Sequence, residues 1–221
     1  MAVVVSSSNQ VYISDTNNHR IRKIDRNGKI STIAGNGKEG YNGDDQLAIT
    51  AQLNRPRGLF VTDDEEVFFC DYLNHRVRNI DRFGMISTIA GNGIKGYNGD
   101  DQLATYAQLS CPAQLALHRN EIYITDSNNN RIRKVLQNGM IKTIAGTGIA
   151  GYHEDDLLVA TSVELNAPVG LCIHNDQVYF SGQCFPMEQS KPLLEEETAT
   201  STTEMEFLPS NQKLPYQQDC L

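Results

Sequence analysis

The 221-residue chain has no tryptophan, and aromatic residues make up only 7% of it. Its five cysteines include no Cys-x-x-Cys pair and are odd in number, which argues against a zinc ribbon and against a closed disulfide framework. No Gly-x-Ser-x-Gly elbow and no His-Glu-x-x-His occurs, so the common hydrolase and zinc-protease signatures are missing. The longest aliphatic run near either end is Ala2-Val3-Val4-Val5, far short of the roughly 20 residues of a membrane span. Basic residues are in deficit: 19 Lys and Arg against 27 Asp and Glu give a net charge of −8, so there is no chain-wide attraction to phosphate. No signal-peptide pattern and no Asn-x-Ser/Thr sequon is visible. With the unpaired cysteines, these features lead us to expect a cytoplasmic protein with no membrane partner.

What the sequence does have is repetition. The segment STIAGNGKEGYNGDDQLA at 31–48 returns as STIAGNGIKGYNGDDQLA at 87–104. Asp15, followed by Asn18-His19-Arg20-Ile21-Arg22, returns as Asp71 with Asn74-His75-Arg76-Val77-Arg78. It appears again as Asp126 with Asn129-Asn130-Arg131-Ile132-Arg133. Pro56, Pro112 and Pro168 fall 56 residues apart. Three full copies run 2–57, 58–113 and 114–169, and a partial fourth runs 170–183.

Within each copy the apolar residues alternate with period two, which is the signature of strands rather than helices. The second copy reads Gly58–Val61, Val67–Cys70, Arg76–Ile80 and Met85–Ala90, with polar turns between and Asn-Gly dipeptides at 27–28 and 138–139. Four short antiparallel strands repeated at this interval describe β-propeller blades. The expected fold is therefore all-β, with about three full blades and half of a fourth in an incomplete or open ring. Such a ring exposes strand edges, so self-association is expected unless the chain is part of a longer protein. The remainder, 184–221, is rich in Ser, Thr and Glu, and residues 187–221 hold two basic and seven acidic residues, a composition that predicts disorder.

The motifs Val-Tyr-Ile-Ser-Asp15, Asn18-His19-Arg20-Ile21-Arg22-Lys23-Ile24, Thr-Ile-Ala-Gly and the Gly-rich stretch ending in Gly-Asp, with Pro-x-Gly-Leu in later copies, resemble the NHL repeat in its longer subtype. The resemblance covers about residues 2–183. It implies a propeller, commonly six-bladed, that serves as a binding scaffold. Arg20, Arg76 and Arg131 stand where the namesake motif has Leu, and the fourth copy lacks the Asp and Arg strand.

Several residue groups invite a functional reading. Gly35-x-Gly37-x-x-Gly40 matches a dinucleotide fingerprint, yet it recurs at Gly91 and Gly146 with no long helix after it, so positive-φ turns are the better reading and no cofactor is expected. Asp44-Asp45, Asp100-Asp101 and Asp155-Asp156 read as N-caps of short helices, because Leu47, Ala48 and Ala51 would share a helical face; calcium is the alternative. Arg20, Arg22, Arg76, Arg78, Arg131 and Arg133 read as a structural network with Asp15, Asp71 and Asp126, and an RNA-binding ladder is the alternative. Cys70, Cys111 and Cys172 read as incidental free thiols. Meander topology collects Asn17, Asn18, His19, Tyr41, Asn42, Leu73, Asn74, His75, Tyr97, Asn98, Tyr152 and His153 on one face, which suits a protein or peptide partner; packing of Tyr41, Tyr97 and Tyr152 on their own loops is the alternative. No catalytic or metal residue is assigned. The expected function is a non-catalytic binding module; a metal-dependent lyase or lactonase propeller, with ligands in blades absent here, is the alternative.

Overall fold

The computed structural model describes residues 1–152 and 158–182 and the backbone of 192–193. The first blade is a meander of β1 (Val3–Val5), β2 (Val11–Asp15), β3 (Arg20–Ile24) and β4 (Ile30–Ala34), hydrogen-bonded in that order. The second contains β6 (Pro56–Val61), β7 (Val67–Asp71), β8 (Arg76–Ile80) and β9 (Met85–Ala90). A two-residue strand from the preceding connection, β5 (Gln46–Leu47), extends its outer edge. The third repeats this plan with β10 (Gln102–Leu103) outside β14 (Met140–Ala145), then β13 (Arg131–Val135), β12 (Glu121–Asp126) and β11 (Pro112–His118). The fourth sheet has β15 (Pro168–His174), β16 (Gln177–Gly182) and the short β17 (Pro192–Leu193). Except for Pro192 and Leu193, the expected disordered tail lies outside the described residues, as do His153, Asp155 and Asp156. The molecule is a β-propeller of antiparallel blades.

A strand with a blade on either side buries both faces and reads as a near-continuous apolar run, as Val67–Asp71 does, whereas the alternation is cleaner in Val11–Asp15, which has a neighbouring blade on one side. One face of blade one supplies Tyr12, Ile21, Ala34, Ala48, Ala51 and Leu53, which pack on Leu59, Val67, Phe69, Ile80 and Ile86 of blade two. The next joint sets Phe68, Cys70, Val77, Ala90, Ala104, Ala107 and Leu109 against Leu115, Ile122, Ile124, Val135 and Ile141. The core is therefore a series of inter-blade layers, and each layer uses the same positions as the one before.

The two described acidic pairs, Asp44-Asp45 and Asp100-Asp101, do not cap helices. Residues Ala48–Thr50 and Ala104–Tyr106 form single 3-10 turns, preceded by Leu47 and Leu103, with no side-chain cap. Asp45 and Asp101 instead adopt positive φ, 57° and 56°, and their amides donate to the Ile86 and Ile141 carbonyls at 2.9 Å. Of the three residues expected on one helical face, Leu47 lies in β5 and is exposed, whereas Ala48 and Ala51 enter the joint together with Leu53.

Candidate functional site

The blade joint is built from two recurring pieces. A 3-10 turn after the second strand of each blade (Thr16–Asn18, Tyr72–Asn74, Ser127–Asn129) ends on a left-handed residue: His19, His75 or Asn130, with φ of 53°, 53° and 51°. Asn tolerates that region well, and His is enriched there. The side chain then reaches the following connection: His19 Nδ1 accepts from the Arg55 amide at 3.3 Å, His75 Nδ1 from Cys111 at 3.1 Å, and Asn130 Oδ1 from Ala167 at 2.9 Å. His75 needs an unprotonated Nδ1 for this bond, and burial, with Lys95 and Arg76 nearby, holds its pKa below the usual value. Gly35 and Gly91, at φ 87° and 90°, lie so close to the His19 and His75 carbonyls that an added Cβ would collide with them.

The second piece is the connection itself, which crosses to the next blade as a strap. Arg78, with no exposed side-chain surface, donates to Asp71 Oδ2 at 3.4 Å within its own blade. From the strap it takes the Gly43 carbonyl at 2.7 Å and Asp44 Oδ1 at 2.8 Å. Arg133 repeats this with Asp126 at 3.4 Å, Gly99 at 3.0 Å and Asp100 at 2.8 Å. Asn74 and Asn129 donate to Gly40 and Gly96 carbonyls, both at 2.6 Å. The Asn54 and Ser110 amides close the strap on Asp71 and Asp126 at 2.7 Å. Burial pushes Asp71 up to about 6 against the pull of Asn54, Asn74 and Arg78. Asp126 is likewise pushed up to about 6 by burial, against Asn129, Ser110 and Arg133.

The sequence-expected residues therefore divide. Arg22, Arg78 and Arg133 reach Asp15, Asp71 and Asp126. Arg20, Arg76 and Arg131 reach no aspartate among the described residues; their guanidinium groups donate to paired carbonyls, Asn18 with Asn36, Asn74 with Asn92, and Asn129 with Thr147. Tyr41 and Tyr97 pack under Arg76 and Arg131, with guanidinium carbons 3.7 and 3.8 Å from the ring centres. Asn42 and Asn98 accept from the Gln52 and Gln108 amides at 2.7 Å. Asn74 is buried. Most of these Asn, His and Tyr side chains among the described residues thus have partners within the joints. Asn17 and Leu73 are exposed, and Tyr152, with 74% exposure, stands furthest out.

Sequence reasoning passed over the apolar residues of the straps. Ile49, Ile94, Tyr106 and Ile149 are 52%, 60%, 66% and 62% exposed. A pocket of about 240 Å³ opens between strap and blade, floored by Arg76, Tyr41 and Thr88. On the opposite face a second pocket, of about 250 Å³, runs from Phe60 and Thr62 to Leu117 and His118. There His118 Nε2 lies 2.6 Å from Asp176 of the fourth sheet, and Arg119 also pairs with Asp176. Among the described residues no three His, Cys, Asp or Glu side chains form a metal-holding group. Cys70 and Cys111 are buried, and burial raises both thiols, which keeps them unreactive at neutral pH.

Three comparisons bear on this architecture. The NHL repeat family model matches residues 2–24, a stretch within the first blade. Chicken (Gallus gallus) teneurin-1 is 30% identical over 164 residues, covering 64% of this chain and 6% of that protein. Bovine (Bos taurus) NHL repeat-containing protein 2 is 33% identical over 102 residues, covering 43% of this chain and 14% of its own length. The chain therefore spans only a small part of these relatives. Among solved structures, virginiamycin B lyase from Staphylococcus aureus superposes with a TM-score of 0.50 at 19% identity, over 81% of this chain and 47% of the lyase. That likeness is one of fold.

Proposed function

We propose that the chain is a non-catalytic binding scaffold that engages a protein or peptide partner through its strap face. The observation that carries this reading is the exposure of Ile49, Ile94, Tyr106, Ile149 and Tyr152, between 52% and 74%, on three successive inter-blade connections. Large apolar side chains held in water by a rigid frame are the usual anchors of protein recognition. The frame is rigid because the polar groups beneath them are bonded within the joint. The internal engagement of Arg78 and Arg133, both fully buried, weighs against an RNA-binding ladder.

The test is quantitative capture from cell extract with the intact chain and with an Ile94→Asp, Tyr106→Ser, Ile149→Asp triple variant. All three residues are exposed, so the melting temperature should stay unchanged while captured partners fall away. The same captured set from both proteins would overturn the assignment of the face. A metal-dependent lyase or lactonase is the competing reading, supported by the lyase's fold likeness and by the His118–Asp176–Arg119 cluster beside a pocket. Bound metal on elemental analysis together with turnover would favour it.

A further inference from the structure

The joints repeat one set of residues, so departures from that set stand out, and three of them meet between blades two and three. Thr16 and Ser127 each donate a hydroxyl hydrogen bond to the proline carbonyl that opens the next blade, Pro56 at 2.9 Å and Pro168 at 2.5 Å. In blade two Tyr72 takes that place. Its ring lies under Arg57, whose guanidinium carbon is 3.5 Å from the ring centre. Ala113 and Val169 stand at the position of Arg57, and Glu39 and Ala150 at that of Lys95. The repeated joint therefore requires none of Arg57, Tyr72 and Lys95.

Electrostatics ties these residues together. Burial raises the Tyr72 hydroxyl and the Cys111 thiol, and Arg57 pulls against it at both groups. Arg55 also acts on Tyr72, and Lys95 acts on Cys111 and His75. Asp126, the carboxylate that acts on Cys111, is already paired with Arg133. Lys95 and Arg55 are exposed and Arg57 is partly so. Among the described residues no carboxylate pairs with any of these three cations, and Arg57 donates no hydrogen bond. Stacking on an aromatic face leaves the edge of a guanidinium open to a planar carboxylate. Leu73, next to Tyr72, is 37% exposed, and Ile94, next to Lys95, is 60% exposed. We propose that this joint recognises an acidic peptide segment, with one carboxylate on Arg57, another on Lys95, and an apolar side chain against Leu73 or Ile94. The inference rests on the strap face being the partner surface and adds the charge that the partner carries. RNA is the poorer match, because bases stack on open aromatic faces, whereas Tyr72, Tyr41 and Tyr97 each lie against an arginine.

The probe is a random decapeptide library displayed on phage and panned on the intact chain, the enriched peptides then being synthesised and titrated by fluorescence anisotropy. We expect Asp and Glu to be enriched beside Leu, Ile or Phe. Affinity should fall at least about tenfold in Arg57→Gln, as for loss of a hydrogen bond between charged groups, and should weaken as salt is raised. Lys95→Glu, at an exposed position, should keep the melting temperature and turn the selection away from acidic peptides. Enriched peptides without acidic residues, or affinities indifferent to both substitutions, would overturn the proposal. So would an oligouridylate that binds more tightly than the peptides and is lost in the same two variants, since that would give the joint to RNA. The Ile94→Asp, Tyr106→Ser, Ile149→Asp variant separates this inference from the reading beneath it. Peptide binding lost there but kept in Arg57→Gln and Lys95→Glu would leave the strap face standing and sink the acidic recognition. Binding lost in the two charge variants alone would keep the acidic recognition and remove the apolar anchors.

Discussion

Asp71 and Arg78 meet with neither side chain open to water, whereas Asp15 and Arg22 make the same approach in partial contact with solvent. Removing one partner of a sealed pair strands the other charge, so Arg78→Ala should cost about 3–5 kcal/mol and Arg22→Ala about 1 kcal/mol or less, read from urea denaturation midpoints. His75 gives the pH-dependent counterpart. Its neutral Nδ1 accepts the Cys111 amide, and its folded pKa lies below the unfolded value of about 6.5. The stability it contributes is present above that pH and is lost as the pH falls through the folded value. Asp71 and Asp126 act in the opposite sense, since carboxylates pushed up to about 6 take up protons on folding as acid is added. The contribution of His75 is therefore read as a difference. His75→Asn, the solution already present as Asn130, should keep the fold and show a smaller loss of melting temperature between about pH 7 and pH 5 than the parent. An unchanged profile would mean that this imidazole is not coupled to folding.

At the scale of elements, the strands were legible because alternation survives in every copy, and the Asn-Gly turns were legible because Gly28 and Gly139 adopt φ of 78° and 81°. The strap was not. Leu47, Ala48 and Ala51 imitate the stripe of a helix, with Asp44 placed where a cap would stand, but a two-residue strand followed by a single 3-10 turn exposes Leu47 and buries Ala48, Ala51 and Leu53. The partner of Asp44 lies 34 residues ahead in another blade, so no local pattern could reveal it. The one available signal was that the Gly-Asp loop and the downstream Arg recur together. On the candidate face, Asn42, Tyr41 and Asn74 read as recognition residues in a loop, and the structure gives each of them an internal partner in backbone or arginine within the joint. Since Asp44 accepts a charged hydrogen bond from Arg78, Asp44→Ala should cost about 1.5–3 kcal/mol and accelerate amide exchange along β9. Gly91→Ala, at φ 90° with no room for Cβ, should cost more than about 1 kcal/mol.

For the whole molecule, stability is a sum over blades and the joints between them. Blades two and three each have a blade on both sides. Blade one has a joint only with blade two, and the fourth sheet contains only β15, β16 and the short β17 among the described residues. Native-state hydrogen exchange should accordingly be slowest in β7, β8, β12 and β13 and faster in β3, β4 and β16; uniform protection along the chain would contradict this additive picture. The straps also give the stack a direction, because each leaves one blade and is locked by the next. The joint uses equivalent positions every 55 or 56 residues. A gene duplication that copies one whole unit would insert a blade whose contacts on both sides already exist in its neighbours, and a deletion of one unit would rejoin compatible surfaces. Recombination out of frame with that unit would separate a strap from the arginine it serves. Blade number can thus change over generations without any new interface having to arise.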